Sequence, residues 1–310
     1  MKPADAIRIY KFPKNLAEVE ARGSMDCMTM SPTVAQWQLA TDLRKLRGDR
    51  KLSEVARAIK VNISTVSRWE TPGVEGVIPG PGSLERLLEY YGLDAGAVQR
   101  LLHMRREARS SGWWQSSGVA DDYGTYIGLE SASRRIRTYE PVLIPGLMQT
   151  EGYVRALFRG TMPSAPPEEV DAGVKIRLTR QAAWQKNGAH LWAIVSEAAI
   201  RTIVGGSRLM IEQIRHLTQL AEQRNVTLQV LPFEAGAHAA LEIGKFTLLT
   251  LDELSVLVTV ADGTSLFWDN QDALDRHADV FERLLADAWR PAQTVEFLER
   301  TAKVLEKEGL

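Results

Sequence analysis

LSEVARAIKVNISTVSRWE, residues 52–70, decides how the amino-terminal part of this chain folds. The stretch reads as two short helices joined by a tight turn. Val55, Ala56 and Ile59 share one face of the first helix. Val66 and Trp69 stand three apart on the second, while Ser64, Thr65, Ser67 and Arg68 point elsewhere. Apolar residues turned inward, with hydroxyls and an arginine turned outward, suit a helix that enters a major groove. The spacing predicts a helix-turn-helix. Its turn falls at Lys60, and small Ala56 stands where the two helices cross closely.

The roles of individual side chains follow from that geometry. Ser64 and Thr65 lie at the amino-terminal end of the second helix, nearest base edges in such docking. Arg68 lies one turn later, within reach of a guanine edge or a phosphate. Lys60, Asn62 and Ser67 are placed for backbone phosphates. Between residues 44 and 68 there are eight Lys/Arg against two acids, a local excess of six positive charges. Such a patch is the electrostatic footprint of a nucleic-acid-binding module. The bland alternative is a solvated helical face on two amphipathic helices of a bundle.

Around this core the helical pattern continues. Trp37, Ala40, Leu43 and Leu46 recur every three residues across 32–47, and Gly48-Asp49 ends that helix. Ser53 is the expected cap of the next helix and Asn62 of the one after. Residues 71–82 hold four glycines and three prolines and read as a loop. Ser83 is expected to cap a helix striped by Leu84, Leu87, Leu88 and Tyr91, ended by Gly92. Asp94 opens another, through Val98, Leu101 and Leu102 to Arg109. The expectation is an all-α five-helix domain over 32–109. It is preceded by a poorly patterned extension, 1–31, which reads either as a flexible arm or as upstream sequence. A Ser/Gly-rich linker, 110–124, carries Trp113 and Trp114, expected as packing anchors.

Residues 125–310 change character and read as a mixed α/β domain with a partly antiparallel sheet. Residues 140–150, EPVLIPGLMQT, combine a short strand end, a sharp turn and a helix start. Helices are expected over 151–158, 168–186, 197–204 and from a Ser207 cap onward. Strands are expected over 191–195 and 226–231. A meander of 246–251, 256–260 and 265–268 follows, and two amphipathic helices close the chain. The whole is α+β.

Composition bounds the class. Of 310 residues 45% are hydrophobic and 25% charged, with a net charge of −1, as in an ordinary soluble protein of two domains. No apolar run approaches a membrane span, and no secretory signal is visible. One cysteine, Cys27, excludes an internal disulfide framework and fits a reducing cytoplasm. Catalysis finds little support. The five histidines are scattered, and there is no HExxH, GxSxG, phosphate loop or GxGxxG after a strand. Glu130, Glu140 and Glu197 are the carboxylates that could converge, and each also reads as a cap or ion-pair partner. No cofactor, metal site or enzymatic activity is expected.

These residues resemble a known family. Residues 52–70 are similar to the helix-turn-helix of Xre/Cro-type repressors, above all in the run Ser64-Thr65-Val66-Ser67-Arg68-Trp69-Glu70. The remainder resembles the actinomycete regulators called WhiJ-like or antitoxin-like. Its markers are Gly112-Trp113-Trp114, then the run from Tyr139 to Thr150, Arg180-Gln181 and Ser196-Glu197-Ala198-Ala199. The run from Leu228 to Phe233 and Gly236-Ala237-His238 complete them. The resemblance implies a cytoplasmic transcription regulator, often paired with a small protein encoded by a neighbouring gene. Two departures stand out. Lys60 holds the turn position usually given to glycine, so it must adopt a left-handed backbone or reshape the turn. The glycine expected just after the motif is displaced to Gly73.

Three readings follow. One is a sequence-specific regulator that binds double-stranded DNA as a homodimer. In another the large domain binds a small partner protein, as an antitoxin does. In the third that domain is a small-molecule receptor or enzyme, with Trp184, Trp192, Phe233, Phe246, Phe267 and Trp268 around a pocket.

Overall fold

A computed structural model of the chain describes residues 31–110, 112, 121–252, 254–261 and 264–308. The extension 1–30, with Cys27, and the Trp113-Trp114 pair lie outside the described residues. The chain divides into two compact units, with the later boundary between Ala132 and Ser133.

The helical unit contains α1 (Pro32–Arg47), α2 (Leu52–Ala58), α3 (Ile63–Trp69), α4 (Pro81–Tyr91), α5 (Ala95–Ala108) and α6 (Asp121–Ser131). The expected five helices are present, and α6 is an addition. Its sequence, DDYGTYIGLES, carries two glycines and a weak apolar stripe; its start falls in the expected linker and its remainder, from Thr125, in the expected second domain. The structure nonetheless groups it with this unit, where Ser31 Oγ donates to the Gly128 carbonyl at 3.1 Å. One core closes the bundle. Leu39 and Leu43 meet Val55, Ala56, Ile59, Val66 and Trp69, with Leu84, Leu87, Leu88 and Leu101 behind them.

Some expected caps are displaced. Helix α2 starts at Leu52, so Lys51 takes the cap position, and its N–H donates to the Glu54 carboxylate at 3.3 Å. Helix α4 starts at Pro81 with Gly80 before it, not with Ser83 as cap. Proline at the first helical position explains the earlier start, because its fixed φ suits a helix and its missing N–H needs no partner. Asp94 does cap α5, accepting from the Ala97 N–H at 2.9 Å.

The second unit is built on a six-stranded sheet, ordered β3-β2-β1-β4-β5-β6. The strands are β1 (Arg135–Glu140), β2 (His190–Ser196), β3 (Val226–Leu231), β4 (Phe246–Thr250), β5 (Ser255–Ala261) and β6 (Thr264–Trp268). The meander β4–β5–β6 is antiparallel as expected. Strands β1, β2 and β3 run parallel, which requires a helical crossover between successive strands. Helices α7 (Glu151–Thr161) and α8 (Pro167–Asn187) make the first crossover, and α9 (Glu197–Arg201) and α10 (Ser207–Ala221) the second. The sheet is therefore mixed, parallel on one side of β1 and antiparallel on the other. Gly206, at φ +92, holds the cap position of α10, and Ser207 is its first residue.

Strand β1 is central, although RIRTYE carries three charges and only its end was legible in the sequence. Arg137 survives there because its guanidinium lies 5.6 Å from the Phe281 ring centroid and 3.6 Å from Glu282. On one face of the sheet, Tyr139, Ile194, Phe246, Leu248 and Leu257 pack with Phe281 and Leu284 of α11 (Gln271–Asp287). The outer edge of β3 is capped at Val230 where α11 gives way to α12 (Pro291–Glu308). The Trp289 N–H donates to the Val230 carbonyl at 2.9 Å, and the Val230 N–H donates to Thr294 Oγ1 at 3.0 Å. A sheet edge left open is a template for pairing with another chain. Among the described residues no helix is long and apolar enough to cross a membrane.

Candidate nucleic-acid interface

Helices α2 and α3 cross closely because Ala56 presents only a methyl group at the contact, and it is buried along with Val55, Val66 and Trp69. The link between them is a closed helix terminus. The Val61 N–H donates to the Ala56 carbonyl at 3.0 Å and the Lys60 N–H to the Arg57 carbonyl at 3.4 Å. That pair of bonds requires the residue between to be left-handed. Lys60 has φ +56, the only positive φ at a non-glycine residue among those described. Helix α4 ends in the same pair of bonds with Gly92, at φ +72, in the equivalent place. The turn keeps its common shape, therefore, and Lys60 carries the strain.

The far end of α3 is anchored by its loop. Thr71 Oγ1 donates to the Ser67 carbonyl at 2.8 Å, and the Val77 N–H to the Arg68 carbonyl at 3.0 Å. Gln36 Nε2 holds the Gly73 carbonyl at 3.0 Å, and Arg105 Nε holds that of Pro79 at 2.6 Å. Gly73 is needed where it stands, with φ +77 and a would-be Cβ 3.4 Å from the Trp37 ring. Arg47 Nε lies 3.0 and 2.9 Å from the two carboxylate oxygens of Glu70, tying α1 to the end of α3. Burial pushes the Glu70 carboxyl up, and Arg47 opposes that shift.

These ties leave one surface of α3 exposed. Ser64 and Arg68 are exposed on it, and Ser67 is half-buried. Thr65 is half-buried on the flank nearer the core. Lys60 and Asn62 are exposed beside the start of the helix. Asn62 occupies the cap position, but its side chain makes no capping hydrogen bond. Ile63, absent from the contact set expected from sequence, is exposed on the same surface. The cations of 44–68 are not equivalent. Arg47 is engaged by Glu70, and Arg50 donates to the carbonyls of Leu46 and Arg47 at 3.2 Å each, with its guanidinium over the Tyr91 ring.

In the sheet unit, the residues that carried the resemblance gather at the carboxyl ends of β1, β2 and β3. They are engaged in holding loops. The turn Gly146–Met148 is clamped by Gln181, whose Nε2 lies 2.8 Å from both the Gly146 and Gln149 carbonyls. Gln213 donates to the Met148 carbonyl at 2.8 Å and accepts from the Thr150 N–H at 2.7 Å. A Cβ on Gly146 would lie 2.6 Å from Arg177 Nη1, so a larger residue there requires the Arg177 guanidinium to shift. Glu197 Oε2 accepts from the Phe233 N–H at 2.8 Å, and Glu140 pairs with Lys245 at 2.7 Å. His238 stands edge-on to Tyr139 and accepts from the Ala240 N–H at 3.3 Å. Glu130 belongs to the helical unit.

The six aromatics considered as pocket walls do not share one environment. Trp184 and Phe246 are core residues, and Trp192 donates to Gln229. Phe233 and Trp268 are exposed. Among the described residues no group of three or more His, Cys, Asp or Glu is placed to hold a metal ion.

Residues 38–102 match the family described as Helix-turn-helix domain. Residues 123–300 match the family described as Domain of unknown function (DUF5753), a match that begins within α6. No curated protein and no solved structure matches the chain.

Proposed function

The chain belongs to the DUF5753 family and carries a helix-turn-helix domain at its amino-terminal side, and on that premise we propose that it is a sequence-specific DNA-binding transcription regulator of the Xre type rather than an enzyme. The observation that carries the reading is the exposed surface of α3. It sits on a helix fixed at both ends, with Lys60, Asn62, Ser64 and Arg68 exposed together. Arg68, and Ser64 with Thr65, contact base edges; Lys60, Asn62 and Ser67 contact phosphates. Two copies read half-sites about 34–36 Å apart, one helical turn of the duplex. The sheet domain, in the WhiJ-like and antitoxin-like manner, binds a small partner protein encoded beside it.

Selection of duplexes from a randomised pool with the full-length protein tests the DNA assignment. A preferred sequence should emerge, and Arg68→Ala should weaken binding to it by about 10- to 100-fold. Equal binding to all duplexes would overturn the assignment. Co-purification with the neighbouring gene product tests the partner; a neighbour that is expressed but never retained would remove the antitoxin-like part alone.

A further inference from the structure

Helix α3 turns about 100° per residue. Val66 and Trp69, both buried, mark its inward side. Ile63, Ser64, Ser67 and Arg68 then fall on one outward arc, with Thr65 at its margin. Ile63 is 52% exposed, although it is a branched hydrocarbon at the first residue of the helix. The bundle core is complete without it, since α2, α3 and α4 close over Val55, Ala56, Ile59, Val66, Trp69 and Leu84. Single exposed hydrophobic residues are common and mean nothing by themselves. The position of this one is what matters. It shares its arc with hydroxyls and a guanidinium, at the end of the helix that approaches base edges in helix-turn-helix docking. An isoleucine can neither donate nor accept a hydrogen bond there. The apolar feature of the major groove is the C5 methyl of thymine, which meets apolar side chains by contact alone.

We propose that Ile63 is a specificity-determining residue that packs on the C5 methyl of a thymine in each half-site. The inference rests on the DNA-binding reading of α3 and adds to it the identity of one base. The test uses the full-length protein and its selected duplex. Each thymine in turn is replaced by deoxyuridine, which removes the methyl and leaves every hydrogen-bonding edge unchanged. Affinity is read by fluorescence anisotropy at fixed salt. One position per half-site should lose about fourfold in affinity, the worth of one buried methyl group. That loss should vanish in Ile63→Ala, a surface change that leaves the core intact, and persist in Ser64→Ala. If a preferred duplex exists and no deoxyuridine weakens it, the inference fails and the DNA reading stands. The same holds if the loss is unchanged in Ile63→Ala. If no duplex is preferred, the DNA reading itself falls, and the inference with it.

Discussion

Lys60→Gly should stabilise the helical unit while weakening its hold on DNA. The lysine sits at φ +56 in a turn whose two hydrogen bonds demand that conformation. A left-handed backbone costs a side-chain-bearing residue about 1–2 kcal/mol, because Cβ crowds the following carbonyl. Glycine removes that cost but loses more freedom on folding, about 0.5–1 kcal/mol. The net gain is about 0.5–1 kcal/mol. For a unit of this size that raises the midpoint of thermal unfolding by roughly 2–8 °C. Calorimetry on the full chain reads it as a shift of the helical unit's transition. Lys60→Ala is the control, since it keeps the Cβ and the strain and removes only the charge. Both variants should lose the same phosphate contact, lowering the slope of log affinity against log salt by about 0.9. If Lys60→Gly unfolds no later than Lys60→Ala, the strain argument is wrong, whatever happens on DNA.

Other substitutions probe the remaining supports. Glu70→Ala removes a buried carboxylate from Arg47, which is itself about one-fifth exposed and keeps the Arg50 carbonyl as acceptor. A loss of about 3 kcal/mol is expected, at the low end for a broken buried pair, and urea unfolding checks it. Gly205→Ala would place a Cβ 2.7 Å from Ala156 Cβ at φ +74, so the sheet unit should lose about 2–4 kcal/mol in the same assay. Burial lowers His190 and His216 below their ordinary value of 6.5, so the unfolded chain takes up these protons first as pH falls. Stability should therefore decline as pH drops below about 6.5, and His216→Gln should make that decline shallower in thermal melts across pH.

The parts of the fold that were legible in the sequence are those whose stabilising contacts are local or strictly periodic. The stripe Leu84, Leu87, Leu88, Tyr91 announces α4, because one helix face must be apolar to bury itself. Residues 226–231 and the strands from Phe246 to Trp268 announce themselves by β-branched and apolar content between turns. From its place in the motif Lys60 was legible as a position that must either turn left-handed or reshape the turn, and its φ of +56 decides for the first. Strand β1 was not, because Arg135 and Arg137 break the apolar pattern of a central strand. Arg137 is accommodated by Phe281 and Glu282, more than 140 positions away along the chain. Helix α6 hid for a similar reason. Its glycines and tyrosines lower its propensity, and packing on α1 supplies what propensity does not.

By itself, then, the sequence determined the helix-turn-helix, the residue types on the second helix of that motif and the mixed character of the second domain, all properties of spacing along the chain. Tertiary structure alone decided which of those residues are available. It engages Arg47 with Glu70 and Arg50 with carbonyl oxygens, and turns Thr65 partly inward. It also turned the Gly146, Gln181 and Glu197 motifs into loop clamps at the carboxyl ends of three parallel strands. The physical reason is the same throughout. Periodicity fixes which face of an element is apolar, but whether a polar or apolar side chain meets protein or solvent depends on neighbours brought there by the rest of the fold.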